Sequence, residues 1–305
     1  MATNTFEDTT PSRLARFFAS LDVHERARLA HRYPLAVGNM NGAPVTLRYE
    51  ANRVAIDQQR KVEKKRMHDN RLSSLGQQQA GRRMHRYEAM LQKGRDFLAF
   101  DPMGSGRVAE VFGSLDRAER ISIVVPGVDT DLLTFQRTNK KYSAPVGMAQ
   151  ALYGAEHAAA PQARTAVIAW ADYTTPSGLG MDAATGSRAE EGAIRLNALL
   201  RALPGRAPVA LYCHSYGSVL CGLAARTMPS RVSDIAVAGS PGMRAQKASS
   251  LHTTARASVA VPLRVPGQLP AALAVVYATR PEDPARLGDR LGEAARAVAV
   301  AFGAA

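Results

Sequence analysis

The sequence predicts an α/β fold with a parallel-rich sheet, preceded by a helical N-terminal region. From about residue 107 onward, short apolar runs alternate with segments of helical length, which is the pattern of βαβ units. The run at 121–125 (ISIVV) is apolar and β-branched, as expected for a parallel strand buried on both faces. Between residues 11 and about 100, apolar residues instead recur with helical spacing. We therefore divide the chain into a helical N-terminal extension, 1–106, and an α/β domain, 107–305.

The N-terminal extension is predicted to contain four main helices. Pro11 opens the first helix, and Asp22 can cap the second. Long polar helices are predicted at 45–69 and near 81–99. Their apolar faces are narrow, so we expect these helices to pack on the α/β domain rather than to form a core of their own.

The positive charge of the chain is concentrated in this extension. The 305 residues carry a formal net charge of +13, and residues 51–95 account for most of it, with 12 basic and four acidic side chains. A basic arm could bind an anionic partner through phosphate contacts. However, this segment has a single aromatic residue, Tyr87, and therefore lacks a stacking platform for single-stranded nucleic acid. We expect the charges to occupy the outer face of packed helices, with Val54, Ile56, Val62 and Met67 turned inward and no nucleic acid bound.

The α/β domain is predicted to contain alternating strands and helices. The predicted strands are 107–112, 121–125, 165–170, 208–213 and 234–238, and the predicted helices are 143–153, 187–203 and 217–227. Strands separated by such helices form a parallel sheet with right-handed crossovers.

A candidate nucleophile follows the apolar strand 208–213. The segment Cys213-His214-Ser215-Tyr216-Gly217 leads directly into a helix rich in small residues. This is the strand–turn–helix context of the G-x-S-x-G nucleophile elbow, with Cys213 in place of the first glycine. The sequence therefore predicts Ser215 as the nucleophile. His214 is not expected to be its base, because adjacent residues on a sharp turn point in different directions.

A second loop has the features of an oxyanion hole. The strand 121–125 runs into Pro126-Gly127-Val128, and Gly127 permits close approach of the backbone to a substrate. In sheets of this kind, one N–H comes from the loop after an early strand and another from the residue after the nucleophile. We therefore predict that the backbone N–H groups of Val128 and Tyr216 stabilise the oxyanion.

Several blocks in order resemble a family of bacterial α/β-hydrolases, found in high-GC organisms and long catalogued as a domain of unknown function. The blocks are residues 34–44, Ala51-Asn52-Arg53, Val124-Val125-Pro126-Gly127, Ala169-Trp170-Ala171-Asp172-Tyr173, His214-Ser215-Tyr216-Gly217-Ser218 and Ala238-Gly239-Ser240-Pro241-Gly242. The resemblance implies a helical N-terminal extension followed by an α/β-hydrolase domain. It also implies a serine hydrolase, although the substrates of the family are generally unassigned. From the elbow we predict an esterase or lipase-like enzyme that acts on a small-molecule acyl substrate. The sequence shows no metal-ligand spacing and no phosphate-binding loop, so we expect no cofactor.

The rest of a catalytic triad is not obvious in the sequence. The order in this fold is Ser, then an acid, then His. His252 is the only histidine after Ser215 in this sequence, and it is the candidate base. Asp283 is the best candidate acid, but no histidine follows it. Two placements of the next strand compete, 257–261 and 273–278, and the second gives Asp283 its role at a strand end. Asp172 is an alternative acid, more suited to lining a pocket or capping a turn. The alternative function is a catalytically impaired or non-catalytic binding protein that lacks the C-terminal His.

The remaining features set expectations about compartment and packing. The chain has two cysteines, Cys213 and Cys221, which excludes a disulfide-rich scaffold. We expect a reducing compartment, in which both are small packing residues. Trp170 and Tyr173 either wall an acyl pocket or belong to the core. No apolar run is long enough to span a bilayer, and the N-terminus has no apolar export signal. We therefore expect a cytoplasmic protein.

Overall fold

The structure, a computed structural model, describes residues 11–137, 139, 141–178, 180–245 and 251, together with the backbone of the strands at 257–263 and 271–277. The N-terminal helices are α1 (Pro11–Ser20), α2 (Val23–Arg32), α3 (Pro34–Gly38), α4 (Val45–Arg66) and α5 (Ser74–Met90). Asp22 caps α2 as predicted: its side chain accepts a hydrogen bond from the Glu25 amide, and the Glu25 carboxylate accepts one from the Asp22 amide. Among the described residues, every helix is too short or too polar to cross a membrane.

An eight-stranded sheet forms the centre of the molecule. Its strands are β1 (Asp96–Asp101), β2 (Arg107–Gly113), β3 (Arg120–Val125), β4 (Thr165–Ala171), β5 (Val209–His214), β6 (Val232–Ala238), β7 (Ala257–Leu263) and β8 (Ala271–Tyr277). Their order is β1-β2-β4-β3-β5-β6-β8-β7. The four central strands β4, β3, β5 and β6 are parallel to one another, which confirms the predicted fold class. Their carboxyl ends therefore meet at one edge of the sheet.

Helices on both faces complete the layers. They are α6 (Pro145–Ala159), α7 (Met181–Thr185), α8 (Ser187–Ala202) and α9 (Tyr216–Ala225). The core beneath them is built from the apolar central strands; β4 is buried along its whole length. Burial on both faces explains why β3 and β4 are nearly continuous apolar runs, whereas β5 alternates buried and half-buried positions.

The prediction of a helix near 81–99 is wrong in its extent. The helix α5 ends at Met90, and Asp96–Asp101 forms strand β1. Gly94 has a φ of 83°, so the chain turns there with a conformation that favours glycine. The apolar run 97–100 is buried on both faces of the sheet, a pattern that strand and buried helix share. The sheet thus begins before residue 107, and the division into 1–106 and 107–305 stays a prediction.

Polar side chains of the N-terminal helices pair with the outer edge of β1. Asn39 accepts a hydrogen bond from the Phe100 amide at 2.9 Å and donates one to the Phe100 carbonyl at 2.8 Å. Arg48 donates to the Leu98 carbonyl at 2.7 Å, and burial lowers the pKa of Arg48 to about 10. These contacts satisfy an edge that would otherwise expose unpaired backbone groups.

The basic segment 51–95 lies mostly on α4 and α5, and several of its cations are paired within the chain. The ion pairs are Arg60 and Lys61 with Asp57, Arg66 with Glu63, Arg71 with Asp69, and Arg95 with Glu110. One part of the prediction is wrong: Val62 is 45% exposed, whereas Ile56 is buried. Residues seven apart share a helix face, so Glu63, not Val62, lies with Ile56 on the buried side. The expected lack of nucleic acid binding stays a prediction.

Candidate active site

Ser215 lies in the tight turn between β5 and α9, in the strand–turn–helix geometry that the sequence predicts. Its backbone has φ 52° and ψ −124°, a conformation that non-glycine residues rarely adopt. Its amide donates to the carbonyl of Ala238 at 2.9 Å, at the carboxyl end of the neighbouring strand β6. The turn therefore holds Ser215 at the edge where the carboxyl ends of the parallel strands meet.

Two glycines allow the elbow to contact the loop that follows β3. A methyl group on Gly127 would lie 2.7 Å from Cβ and 3.1 Å from Oγ of Ser215. A methyl group on Gly217 would lie 2.5 Å from the carbonyl oxygen of Val125 and 2.7 Å from that of Pro126. Neither position has room for a side chain. The hydroxyl of Ser215 is thus placed against the loop that was predicted to carry the oxyanion hole.

The loop after β3 is held by its own polar contacts. Asp129 has a φ of 56°, its amide donates to the Pro176 carbonyl at 3.0 Å, and its carboxylate accepts from the Gly178 amide at 2.8 Å. Val128 lies between Gly127 and Asp129 and is half-buried. Its backbone N–H donates to no atom in the described part of the chain. That amide therefore has no partner among the described residues, while Asp129 beside it is held in place, and its role in an oxyanion hole stays a prediction.

Tyr216 is the first residue of α9, and its side chain is anchored away from the elbow. The Tyr216 hydroxyl accepts a hydrogen bond from the Ala189 amide at 3.1 Å, which links α9 to α8. The backbone N–H of Tyr216 lies in the first turn of α9, where the helix dipole favours negative charge. This position is compatible with the predicted role of that N–H in an oxyanion hole.

Two further serines, whose role the sequence analysis missed, support the elbow. The buried hydroxyl of Ser218 donates to the Ser215 carbonyl at 2.6 Å and lies 2.6 Å from the Ser240 hydroxyl. Ser240 in turn accepts from the Gly242 amide at 3.0 Å. A serine among the apolar residues of a buried helix is a signal for such a role, because a buried hydroxyl requires a partner.

The prediction that Cys213 and Cys221 are separate packing residues is wrong. They form a disulfide, and their Cα atoms are 6.5 Å apart, within the range that a disulfide requires. The turn at Ser215 folds α9 back beside β5, which brings the two cysteines together although eight positions separate them. Disulfides persist mainly in oxidising compartments, so this bond does not support the reducing compartment that the sequence analysis assumed.

The side chains of His214 and Ser215 point to different sides of β5. The His214 ring lies beside Gly239 at the end of β6, with Nε2 3.7 Å from a methyl group built there, whereas Ser215 Oγ lies beside Gly127 at the end of β3. Burial lowers the pKa of His214, which favours the neutral ring. The Ser215 hydroxyl makes no hydrogen bond with any described residue. The different directions of the two side chains and the lack of a hydrogen bond to the Ser215 hydroxyl agree with the expectation that His214 is not the base.

The predicted base and acid, His252 and Asp283, lie outside the described residues. Both competing placements of the next strand are occupied, by β7 and by β8, which pair with each other. However, β8 is antiparallel to β6, with Tyr277 opposite Asp234 at the beginning of β6. The carboxyl end of β8 therefore lies at the sheet edge opposite Ser215, not at the catalytic edge that the sequence analysis assumed. The role of Asp283 stays a prediction without that support.

Asp172, the alternative acid, is engaged by two arginines. Its carboxylate lies 2.6 Å from Arg195 Nη2 and 3.8 Å from Arg107 Nε. Burial raises the pKa of Asp172, and these arginines oppose that effect. Asp172 thus anchors the end of β4 through ion pairs.

Trp170 and Tyr173 belong to the core. Each is about 1% exposed, and their rings stack with centroids 5.6 Å apart. The Tyr173 hydroxyl donates to the carbonyl of Pro126 at 2.8 Å, so this core pair also supports the start of the loop after β3. Among the described residues, no group of three or more His, Cys, Asp or Glu is placed to hold a metal ion.

Comparisons with known proteins agree with the geometry. A family model described as "Alpha/beta hydrolase" matches residues 101–262. Two uncharacterized proteins of Mycobacterium tuberculosis, one from strain CDC 1551 / Oshkosh and one from strain ATCC 25618 / H37Rv, are each 27% identical over 190 residues. These matches cover 53% of this chain but 28% of each relative, so the chain corresponds to less than a third of those proteins. The chain belongs to the α/β-hydrolase family.

Proposed function

We propose that the protein is a serine hydrolase that cleaves small acyl esters, with Ser215 as the nucleophile. The observation that carries the proposal is the backbone of Ser215, at φ 52° and ψ −124°, together with the contact of its side chain with Gly127. A non-glycine residue in a strained conformation costs about 1–3 kcal/mol and persists where the surrounding structure enforces it, as at active sites. Here the strain places a hydroxyl beside the loop after β3, at the end of the parallel strands.

The proposed reaction follows from this arrangement. Ser215 Oγ attacks the ester carbonyl, and the hydroxyl proton passes to a base. The carbonyl oxygen becomes an oxyanion that accepts hydrogen bonds from the N–H groups of Val128 and Tyr216. The tetrahedral intermediate then expels the alcohol, which takes a proton from the base, and leaves an acyl-enzyme. A water molecule then attacks the acyl carbonyl and gives a proton to the base. The second tetrahedral intermediate expels Ser215 Oγ, which takes that proton, so the carboxylic acid is released and Ser215 is restored.

A fluorophosphonate probe tests the nucleophile directly, because it reacts with activated serines. We expect one adduct, on Ser215, and no adduct on Ser215→Ala. Ser105→Ala is a matched control, because Ser105 is an exposed serine in the turn between β1 and β2. It should be labelled like the wild type. Labelling that persists in Ser215→Ala, or a folded wild type that is never labelled, would refute the proposal.

The proposed base and acid need a separate test. His252 is the proposed base and Asp283 the proposed acid on the sequence alone, and the direction of β8 gives Asp283 no support. His252→Ala and Asp283→Asn should each lower the rate of p-nitrophenyl ester hydrolysis, by about 100-fold or more if the residue belongs to the triad. The oxyanion hole alone leaves some activity, so labelling of Ser215 should slow rather than vanish. An unchanged rate in either variant removes that residue from the mechanism without affecting the assignment of Ser215.

A non-catalytic binding protein on the same fold is the second candidate. The observation in its favour is that the Ser215 hydroxyl makes no hydrogen bond with a described residue, so no base is positioned by that part of the chain. Such a protein would bind a small apolar ligand at the same edge of the sheet without turnover. Hydrolysis of p-nitrophenyl esters that is lost in Ser215→Ala would refute this candidate. Binding of the ester without hydrolysis would support it.

A further inference from the structure

Arg86, on α5 of the N-terminal extension, contacts the loop that follows β3. Its Nη2 donates to the carbonyl of Leu133 and to the carbonyl of Gln136, both at 2.7 Å. Its Nη1 lies 3.4 Å from the side-chain oxygen of Gln136, which also accepts from Arg95 at 3.0 Å. One guanidinium thus joins two carbonyls that are three positions apart in the loop.

The contacted part of the loop is connected to the predicted oxyanion hole. Asp131 accepts hydrogen bonds from the amides of Leu133 and Thr134, each at 2.8 Å. The Thr134 hydroxyl donates to the carbonyl of Asp129 at 2.9 Å. Asp129 directly follows Val128, so residues 129–136 form one hydrogen-bonded unit that begins beside the proposed oxyanion donor.

Arg86 differs from the solvent-exposed cations of the basic segment. It is partly buried, and this burial lowers its pKa, while Asp131 and Glu110 oppose the effect. Nη2 makes both carbonyl contacts, while the planar guanidinium holds Nη1 toward the side-chain oxygen of Gln136. A lysine ammonium has one nitrogen and cannot reproduce this full set of contacts. Arg82, on the same helix, is exposed and makes no hydrogen bond with a described residue. Arg86 therefore has a specific structural partner that the charge pattern of the segment did not reveal.

We propose that Arg86 is a positioning residue for catalysis: it fixes the 129–136 loop so that the N–H of Val128 keeps its place beside Ser215. The catalytic part of this inference rests on the proposed function, whereas the structural part, that Arg86 holds the loop, does not. It also assigns the N-terminal extension a role, because the extension supplies a support on which the catalytic loop depends.

Hydrogen exchange tests whether Arg86 holds the loop, and it does not depend on activity. In Arg86→Met, which keeps an unbranched apolar stem but removes the guanidinium donors, the hydrogen-bonded amides of residues 129–135 should exchange at least tenfold faster. Arg82→Met should leave them unchanged, and Arg86→Lys should give an intermediate rate. Thr134→Val breaks the link to Asp129 while keeping Arg86, so it tests the same unit if Arg86→Met does not fold.

Kinetics test the consequence for catalysis. Loss of alignment at the oxyanion hole should lower kcat about 10- to 100-fold in Arg86→Met, with KM nearly unchanged. A boronate that forms a tetrahedral adduct with Ser215 should bind more weakly by a similar factor, and Arg86→Lys should recover part of both losses. Equal exchange and equal kcat in Arg86→Met, Thr134→Val and Arg82→Met would overturn the inference. A wild type without Ser215-dependent turnover instead refutes the proposed function, and the exchange rates alone then decide whether Arg86 holds the loop.

Discussion

Replacing Ser215 with glycine is expected to stabilise the fold and abolish activity at the same time. The residue is held at φ 52° and ψ −124°, which a residue with a Cβ adopts at a cost of about 1–3 kcal/mol. Glycine removes most of that cost but makes the unfolded chain more flexible, which offsets about 0.5–1 kcal/mol. The net gain in unfolding free energy should be about 1–2 kcal/mol. For a chain of 305 residues, this corresponds to a rise in Tm of about 1.5–3 °C.

The reference for this measurement is Ser215→Ala, which loses the hydroxyl but keeps the Cβ and therefore the strain. Urea unfolding and thermal melts of the wild type and both variants give the free energies of unfolding. Fluorophosphonate labelling should be absent in both variants. If Ser215→Gly is no more stable than Ser215→Ala, the turn is not strained by its side chain, and the argument that strain positions the nucleophile is refuted.

Three further predictions concern the surroundings of the elbow and the N-terminal extension. Reduction of the Cys213–Cys221 disulfide should lower the unfolding free energy by about 2–3 kcal/mol, because it frees a loop of about nine residues in the unfolded chain. Urea unfolding with and without dithiothreitol measures this loss. Arg95→Met should cost about 3–5 kcal/mol by the same assay, because it leaves the carboxylate of Glu110, which is 2% exposed, buried without its partner. Burial lowers the folded-state pKa of His214 below its ordinary 6.5, so the unfolded state binds the proton more tightly. The contribution of His214 to the unfolding free energy is fully present above about pH 6.5 and is lost as the pH falls through the folded-state pKa. Unfolding of the wild type across this range should therefore show a fall in stability that His214→Gln lacks.

Each of these predictions has an internal control. The double variant with alanine at 213 and 221 should not respond to dithiothreitol, and an equal response would mean that the disulfide is not the cause. Adding Glu110→Leu to Arg95→Met should recover much of the loss, since it removes the unpaired charge. A pH dependence that is identical in His214→Gln and the wild type would show that burial of the ring does not disfavour its protonation.

The local features of this protein were predictable from its sequence. The central strands β3 and β4 are buried on both faces, and their nearly continuous apolar sequences show this residue by residue. The turn at Ser215 is recognisable because an apolar strand, a compact turn and a helix of small residues follow one another directly in the chain. The glycine at 217 was part of that motif, and the structure shows why a larger residue has no room there.

Features that depend on distant contacts were decided by the tertiary structure alone. The run 97–100 is apolar, and its length and composition did not distinguish a strand from the end of a helix. The direction of β8 leaves no trace in its residues, because a buried strand has the same composition whether it is parallel or antiparallel. The disulfide requires α9 to fold back beside β5, and the contacts of Arg86 join residues about fifty positions apart. Sequence periodicity reports which face of an element is buried, but only the packed structure determines which groups meet across that face.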